Sequence, residues 1–433
     1  MSANGQESSV SGWSTDVIAS IAAKVGTPFM LYRAETIRGK IAEIKKMTAD
    51  AHLQARFAMK ACSLHSVLKE MNANDIWIDA VSGNEVLRAI QSGFDSGQNP
   101  PKLLYTSDVF RDNALEVVTK ENVLANLGTP NMIDDLAATG YRGAIGLRLN
   151  PGFGHGHVKE CDTGGPSSKH GIWFQDAEAA KKRADAAGLE VKILHAHIGT
   201  GAEVSEFQVN IQRLVDFFVK RFDLFPQTEV INFGGGFPHP YRPETPSLDL
   251  AACAGILREA QQMFSQKAGR DVRVEVEPGR IYVADGASLI TRVHGVKSTN
   301  TNEKGPGQKF VMVDAGFCDL VRPTMYGSYH GIEVLGRMGQ PEEDLVIAGP
   351  MCESGDVFTR DAHELLDPRP LPVPEVGDFM AIHDAGAYGE AMSSNYNSLG
   401  RVPQVWYDDG KAYLSSRRQT LDDILRTECY EEL

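Results

Sequence analysis

Five short tracts hold residues whose types and spacing can do chemistry. Lys60 lies in Phe57-Ala58-Met59-Lys60-Ala61-Cys62, directly after an apolar run. A lysine so placed is expected to be partly desolvated, which suits its amine to Schiff-base chemistry. A lysine simply emerging into solvent at a strand end is the plainer alternative. Gly234-Gly235-Gly236 follows Phe233. Three glycines let backbone N–H groups approach a phosphate closely, or they form only a tight strand-to-helix turn. No Gly-Lys-Ser/Thr follows, so this is not a Walker A loop. Glu277 opens Glu277-Pro278-Gly279-Arg280 after the alternating Val272, Val274 and Val276. A carboxylate there can keep a proton on a pyridine nitrogen and make the ring an electron sink suited to decarboxylation. Its alternative is a salt bridge to Arg280 or to a neighbouring barrel residue. His195 and His197 have the spacing of a metal pair, but no third ligand accompanies them. His197 can instead stack on a flat cofactor. Cys352 lies in Gly349-Pro350-Met351-Cys352-Glu353-Ser354-Gly355-Asp356, a loop constrained by Pro and two Gly. Loops of this kind often carry function. A thiol beside an acid can donate a proton to a carbanion, whereas a single cysteine is commonly buried and inert.

These residues must be positioned by regular elements. Ile37, Ile41, Ile44 and Met47 follow a helical period. Strand-like runs then recur at Leu53–Met59, Ile76–Val81, Leu103–Thr106, Val123–Leu127, Ala144–Leu149, Val191–His197, Glu229–Phe233 and Val272–Val276. Helical segments separate most of them. Ser63 is a candidate cap for the first, Asn74 and Gly93 are candidate stops, and Phe207, Ile211, Leu214, Val215 and Phe218 form a clear stripe. Eight strand–helix units imply parallel strands and a (β/α)8 barrel, with a doubly wound open sheet as the alternative. In a barrel the reactive types fall at strand ends: Lys60, Asp79, Asn150, His197, Gly234–Gly236 and Glu277–Arg280. That is where such barrels place their active sites. After Arg280 short apolar runs at Ala287–Val296, Phe310–Val313, Leu345–Ala348, Phe379–His383 and Gln404–Tyr407 indicate a second, β-rich domain. Thr27–Tyr32 is strand-like and can pair into it. The domains are therefore expected at 36–283 for the barrel, and 1–35 with 284–433 for the β-rich part. Ser298–Gln308 and the Pro-rich Asp367–Pro374 read as exposed loops. The glycines of Gly152–Gly165, with His155 and His157, make that stretch a candidate closing lid.

Composition narrows the function classes. Of 433 residues 42% are hydrophobic and 23% charged, an ordinary globular balance that can fill more than one core. A net charge of −14 speaks against a nucleic-acid groove. No apolar run reaches the ~20 residues of a membrane span. Met1–Ser14 is polar, without the h-region of a signal peptide. The six cysteines, Cys62, Cys161, Cys253, Cys318, Cys352 and Cys429, form no CxxC pair, so free thiols in a reducing cytoplasm are expected.

Taken jointly the motifs resemble the fold-type III, alanine-racemase-like family of pyridoxal-phosphate-dependent decarboxylases. The resemblance runs from Thr27 to Ile424. It is carried by Phe57–Ser63, Asp79–Glu85, Asn150–His157, Ser168–Trp173, His195–Gly201, Gly234–Gly236, Glu277–Arg280, Asp314–His330, Gly349–Phe358 and Asp384–Ser398. It implies that Lys60 carries pyridoxal 5'-phosphate, that His197 stacks on the ring and that Glu277 pairs with its nitrogen. Asp79 would belong to the cofactor site. Gly234, Gly235, Gly236, Gly279, Arg280 and Tyr388 would surround the phosphate. Arg280, Arg322 and Tyr326, with Tyr388 nearby, would hold a distal carboxylate, and Glu353 a distal ammonium. Cys352 would supply the proton after CO2 leaves. The family also implies that Cys352 and Glu353 reach into a partner's site, so the unit would be a homodimer.

Within the family the chain is most similar to the branch acting on meso-2,6-diaminopimelate, which yields L-lysine and CO2. Ornithine, arginine and carboxynorspermidine are the competing substrates. Arg322 in Leu320-Val321-Arg322-Pro323 favours a substrate ending in a carboxylate, because its planar fork recognises one bidentately. A racemase on the same barrel would typically set arginine, not Glu277, against the ring nitrogen. A non-catalytic barrel-only relative would lack the β-rich domain. Three positions depart from common family forms: Cys62 and Cys318 stand where Asn is frequent, and His170 where Phe is.

Overall fold

The computed structural model describes residues 12–154, 163–199 and 204–432. These form two compact units. One consists of 38–240 and 246–282, the other of the chain before and after it together with 241–245. The first strand, β1 (Phe29–Arg33), belongs to the second unit.

The first unit is a closed parallel barrel. Its staves are β2 (Leu53–Ala58), β3 (Trp77–Ala80), β4 (Leu103–Ser107), β5 (Leu124–Leu127), β6 (Ala144–Asn150), β8 (Glu190–His195), β9 (Val230–Asn232) and β10 (Arg273–Val276), with a short β7 (Ile172–Trp173) beside β6. Closure comes from β10 pairing with both β2 and β9, and from β5 pairing with β6. The eight expected strands are all present, and the open sheet is excluded. Helices cross between them because parallel neighbours need a crossover. In Val204–Val219 the stripe Phe207, Ile211, Leu214, Val215 and Phe218 is buried, worth about 1.5–3 kcal/mol per side chain. The helix Leu250–Ala268 is capped by the Asp249 side chain and ends at Gly269 with φ 66°. Ser63 does not cap the first barrel helix, which starts at His65 with Leu64 at the cap position and no side-chain bond.

Strands β2 and β10 are tied by a buried ion pair. Arg56 Nε lies 2.7 Å from Glu275 Oε2, and neither side chain is exposed. Arg273 adds a second cation to Glu275 at 2.9 Å, and Arg56 also donates to the carbonyls of Ile78, Pro101 and Lys102.

The second unit is a nine-stranded mixed sheet. To β1 it adds β11 (Ala287–Ser298), β12 (Lys309–Val313), β13 (Ile332–Val334), β14 (Glu342–Ala348), β15 (Arg369–Pro372), β16 (Phe379–Ile382), β17 (Gln404–Asp408) and β18 (Lys411–Ser416). The N-terminal strand sits between β11 and β17, antiparallel to one and parallel to the other. Helix Thr15–Val25 covers it, with Trp13, Ile18 and Ile21 packed on Phe29, Leu31, Ile290 and Val405. Asp367–Pro374 is not a loop: it contains β15, an edge strand on β14. Its prolines are tolerated because an edge needs N–H groups on one side only.

Candidate active site

The barrel gathers Lys60, Asp79, His197, Gly234–Gly236 and Glu277–Arg280 at or just beyond the C-terminal ends of its strands. Lys60 sits in a 3-10 turn, Met59–Ala61, immediately after β2. It is exposed, so the desolvation expected from the preceding apolar strand is not supplied by the barrel. What surrounds Lys60 electrostatically is acidic: Asp79, Glu85 and Glu277 all feel its charge.

Glu277 is buried and doubly held. Asn232 Nδ2 donates to its Oε1 at 2.7 Å, and His195 Nε2 stands 3.0 Å from its Oε2. Burial pushes this carboxyl up, but His195 with its hydrogen bond, Arg56 and Lys60 outweigh it and hold the pKa below the ordinary value. Asp79 goes the other way. Burial and the neighbouring Glu277 charge push it well above the usual carboxylate range. Two close carboxyls cannot both ionise cheaply, and here the charge belongs to Glu277. His197 lies two residues past β8 and is half-buried. Burial, Lys60 and Arg148 hold its imidazole well below its ordinary pKa, so the ring is neutral.

The triple glycine is required by packing. A Cβ on Gly234 (φ 67°) would fall 2.7 Å from His197 Cβ, and one on Gly236 (φ 95°) would fall 2.4 Å from the Gly199 carbonyl oxygen. Asn232 Oδ1 also accepts from Gly234 N at 2.8 Å, linking this turn to Glu277.

The sheet unit holds the remaining candidates. Arg322 and Tyr326 begin and end the short helix Arg322–Tyr326, and Arg322 is buried. Cys352 and Glu353 are exposed in their loop, so Cys352 is not buried. That loop is built around Asp356, which accepts from Met351 N at 2.8 Å and Phe317 N at 2.7 Å. Asn397 Oδ1 accepts from Cys352 N at 3.0 Å, and Thr324 Oγ1 donates to the Gly355 carbonyl at 2.9 Å. The thiol-bearing loop is thereby fastened to the Arg322 helix. Tyr388 has a left-handed φ of 57° in the turn after β16.

Sequence reasoning missed several supports. Asn232 carries no motif of its own. Glu85 Oε2 accepts from Val81 N while Ser82 Oγ accepts from Glu85 N, a reciprocal cap that the Ser82-x-x-Glu85 spacing could have revealed. His170, the unusual residue, stands 2.6 Å from Asp108, which also accepts from Gly171 N and lies 3.9 Å from Arg148. Cys62 and Cys318 are buried, and burial raises the Cys318 thiol to about 12. The 155–162 part of the lid candidate and Gly201 lie outside the described residues.

These residues fit pyridoxal phosphate. An ionised, buried carboxylate suits a protonated ring nitrogen, and a neutral imidazole suits a ring face. Two enclosed polar atoms that have no hydrogen-bond partner among the described residues, His197 Nδ1 and Asp79 Oδ1, remain for a polar ligand. A parallel barrel with this set, joined to a β-sheet unit, defines a pyridoxal-phosphate-binding decarboxylase fold. The chain belongs to the pyridoxal-dependent decarboxylases: residues 34–284 match the family's pyridoxal-binding domain and 281–386 its C-terminal sheet domain. It is 38% identical to the diaminopimelate decarboxylase of Escherichia coli K12 over 412 residues, 94% of each chain. A crystal structure of a diaminopimelate decarboxylase, 36% identical, superposes with a TM-score of 0.88 over 95% of this chain and 96% of that one. The Helicobacter pylori diaminopimelate decarboxylase complexed with L-lysine is 26% identical, with a TM-score of 0.83 and coverage of 94% and 98%.

Proposed function

We propose that this chain decarboxylates meso-2,6-diaminopimelate to L-lysine and CO2. The observation that carries the reaction class is Glu277, ionised, buried and doubly hydrogen-bonded in the same barrel as Lys60. The substrate is supported by the relatives' names and by the buried Arg322. Pyridoxal phosphate, when bound, supplies a conjugated electron sink for the bond that breaks as CO2 leaves. Lys60 carries it through its amine. Glu277 holds a proton at the ring nitrogen, and Asp79, kept protonated, adds no second negative charge. His197 presents a neutral flat ring to the cofactor's face. Gly234–Gly236, Gly279, Arg280 and Tyr388 bind the phosphate.

Arg280, Arg322, Tyr326 and Tyr388 orient the distal carboxylate, and Glu353 binds the distal ammonium. Cys352 delivers a proton to the carbon that has lost CO2. Cys352 and Glu353 serve the site of a second copy, so the working unit is a homodimer in the cytoplasm. We assign residues 36–283 to the cofactor-binding domain, and 1–35 with 284–433 to the domain that completes substrate recognition.

The test is CO2 release by purified protein with added pyridoxal phosphate, comparing meso-diaminopimelate with ornithine, arginine and lysine. Stoichiometric CO2 and L-lysine from diaminopimelate alone is the expected result. Turnover of another of these amino acids instead would keep the reaction class and overturn the substrate.

A further inference from the structure

We infer that His330 is a specificity-determining positioning residue, which holds the Arg322 guanidinium in the orientation that receives the substrate's distal carboxylate. The inference rests on the substrate reading above. The chain places the two residues together by a reversal. The helix Arg322–Tyr326 ends at Gly327 in the left-handed region (φ 58°), where a Cβ would fall 2.3 Å from Ala362 backbone atoms. That turn brings Ser328 and His330 back beside Arg322. Arg322 Nη1 lies 3.0 Å from His330 Nε2, and Arg322 Nη2 lies 3.3 Å from Ser328 Oγ. The Tyr241 ring lies under the guanidinium at 4.6 Å and meets the His330 ring edge-on at 5.5 Å. All three side chains Arg322, Ser328 and His330 are buried.

The hydrogen bonds fix the state of the imidazole. His330 Nδ1 stands 2.8 Å from the His383 carbonyl oxygen, which can only accept. Nδ1 therefore carries the proton. A guanidinium can only donate, so Nε2 must offer its lone pair. His330 is thus the neutral Nδ1–H tautomer, an acceptor aimed at Arg322 and anchored to the backbone just past β16. An acceptor at this point selects the plane of the guanidinium fork. That plane decides whether a carboxylate is met bidentately. The role is one of orientation at the distal end of the substrate, remote from the bond that breaks. It should therefore appear in binding rather than in chemistry.

Two isosteric substitutions separate this role from a structural one. The amide of His330→Asn takes the place of Nδ1 and keeps the bond to His383, but offers Arg322 nothing. The longer His330→Gln reaches the Nε2 position with an acceptor oxygen. With the holoenzyme, His330→Asn should raise KM for meso-diaminopimelate about ten- to thirty-fold with kcat within about three-fold, since one charge-assisted hydrogen bond to the binding group is lost. L-Lysine, which retains the distal carboxylate, should bind more weakly by a similar factor in calorimetry. His330→Gln should stay within about three-fold of wild type on both measures. Melting temperatures near wild type would mark the variants as folded, and Ser328→Ala, with a smaller KM effect expected, serves if His330→Asn does not fold. Equal behaviour of the Asn and Gln variants, or a fall in kcat with KM unchanged, overturns the inference. Failure of the substrate reading looks different: wild type would not turn over diaminopimelate, or Arg322→Ala would be neutral, and His330 would lose its assigned role with it.

Discussion

Replacing Asn232 should unsettle the charge on Glu277 and the turn at Gly234 in a single step. Asn232 is wholly buried, donates to Glu277 Oε1 at 2.7 Å and accepts from Gly234 N at 2.8 Å. Asn232→Leu keeps the volume and removes both bonds. Losing a hydrogen bond to a buried charge costs about 1.5–3 kcal/mol, and leaving a buried N–H unpaired about 1–3 kcal/mol, so unfolding free energy should fall by roughly 3–5 kcal/mol. Glu277 keeps His195 but loses one of its two donors. Its folded pKa, now held below the ordinary value by His195, Arg56 and Lys60 against burial, should rise. A carboxyl depressed on folding contributes stability above its unfolded value, 4.5, and loses it as pH falls through the folded value. In the variant that contribution shrinks, and the acid limb of the kcat profile moves to higher pH. A weaker grip on the ring-nitrogen proton should lower kcat about ten- to a hundred-fold, if the missing bond is worth 1.5–3 kcal/mol at the transition state. Urea unfolding and pH-dependent CO2 release measure the two effects. A variant within about 0.5 kcal/mol of wild type with an unmoved acid limb would refute the reasoning, because substitutions away from buried networks behave that way.

Three further outcomes are expected. Arg56→Met should cost about 3–5 kcal/mol in urea unfolding, because it strands the buried Glu275 with Arg273 alone. The loss should be seen above the unfolded carboxyl value and fade as pH falls below it, since Glu275 is depressed by Arg56 and Arg273 despite burial. Cys352→Ala should lower kcat about a hundred-fold or more, the usual contribution of a positioned proton donor, while the absorbance of bound cofactor is unchanged; wild-type kcat would remove Cys352 from the chemistry. Arg322→Ala should cost roughly 2–4 kcal/mol in kcat/KM for diaminopimelate, and a change of only a few-fold would show that the distal carboxylate is held elsewhere.

Much of this protein is written locally. A lysine after an apolar run, a glycine triplet after a strand and a Glu-Pro-Gly-Arg after another are each contiguous. So is the period change from helix-separated strands to closely spaced ones. These patterns implied the barrel and the β-rich second unit, and they marked Lys60, Glu277 and Cys352 as candidates. Three edge strands of the sheet unit escaped. Strand β13 is only three residues long, in β15 the prolines imitate a loop, and β18 is largely exposed and lacks a buried alternation. What the sequence could not contain is the pairing of distant strand ends. His195 and Asn232 lie 82 and 45 residues from Glu277, and only the register of β8, β9 and β10 around the closed barrel brings them to one carboxylate. The division of charge between Asp79 and Glu277 follows from that closure, as do the neutrality of His197 and the fixed tautomer of His330 from burial and a carbonyl 53 residues on. Residue type is a property of the chain, whereas ionisation and orientation belong to the low-dielectric surroundings that only tertiary packing creates.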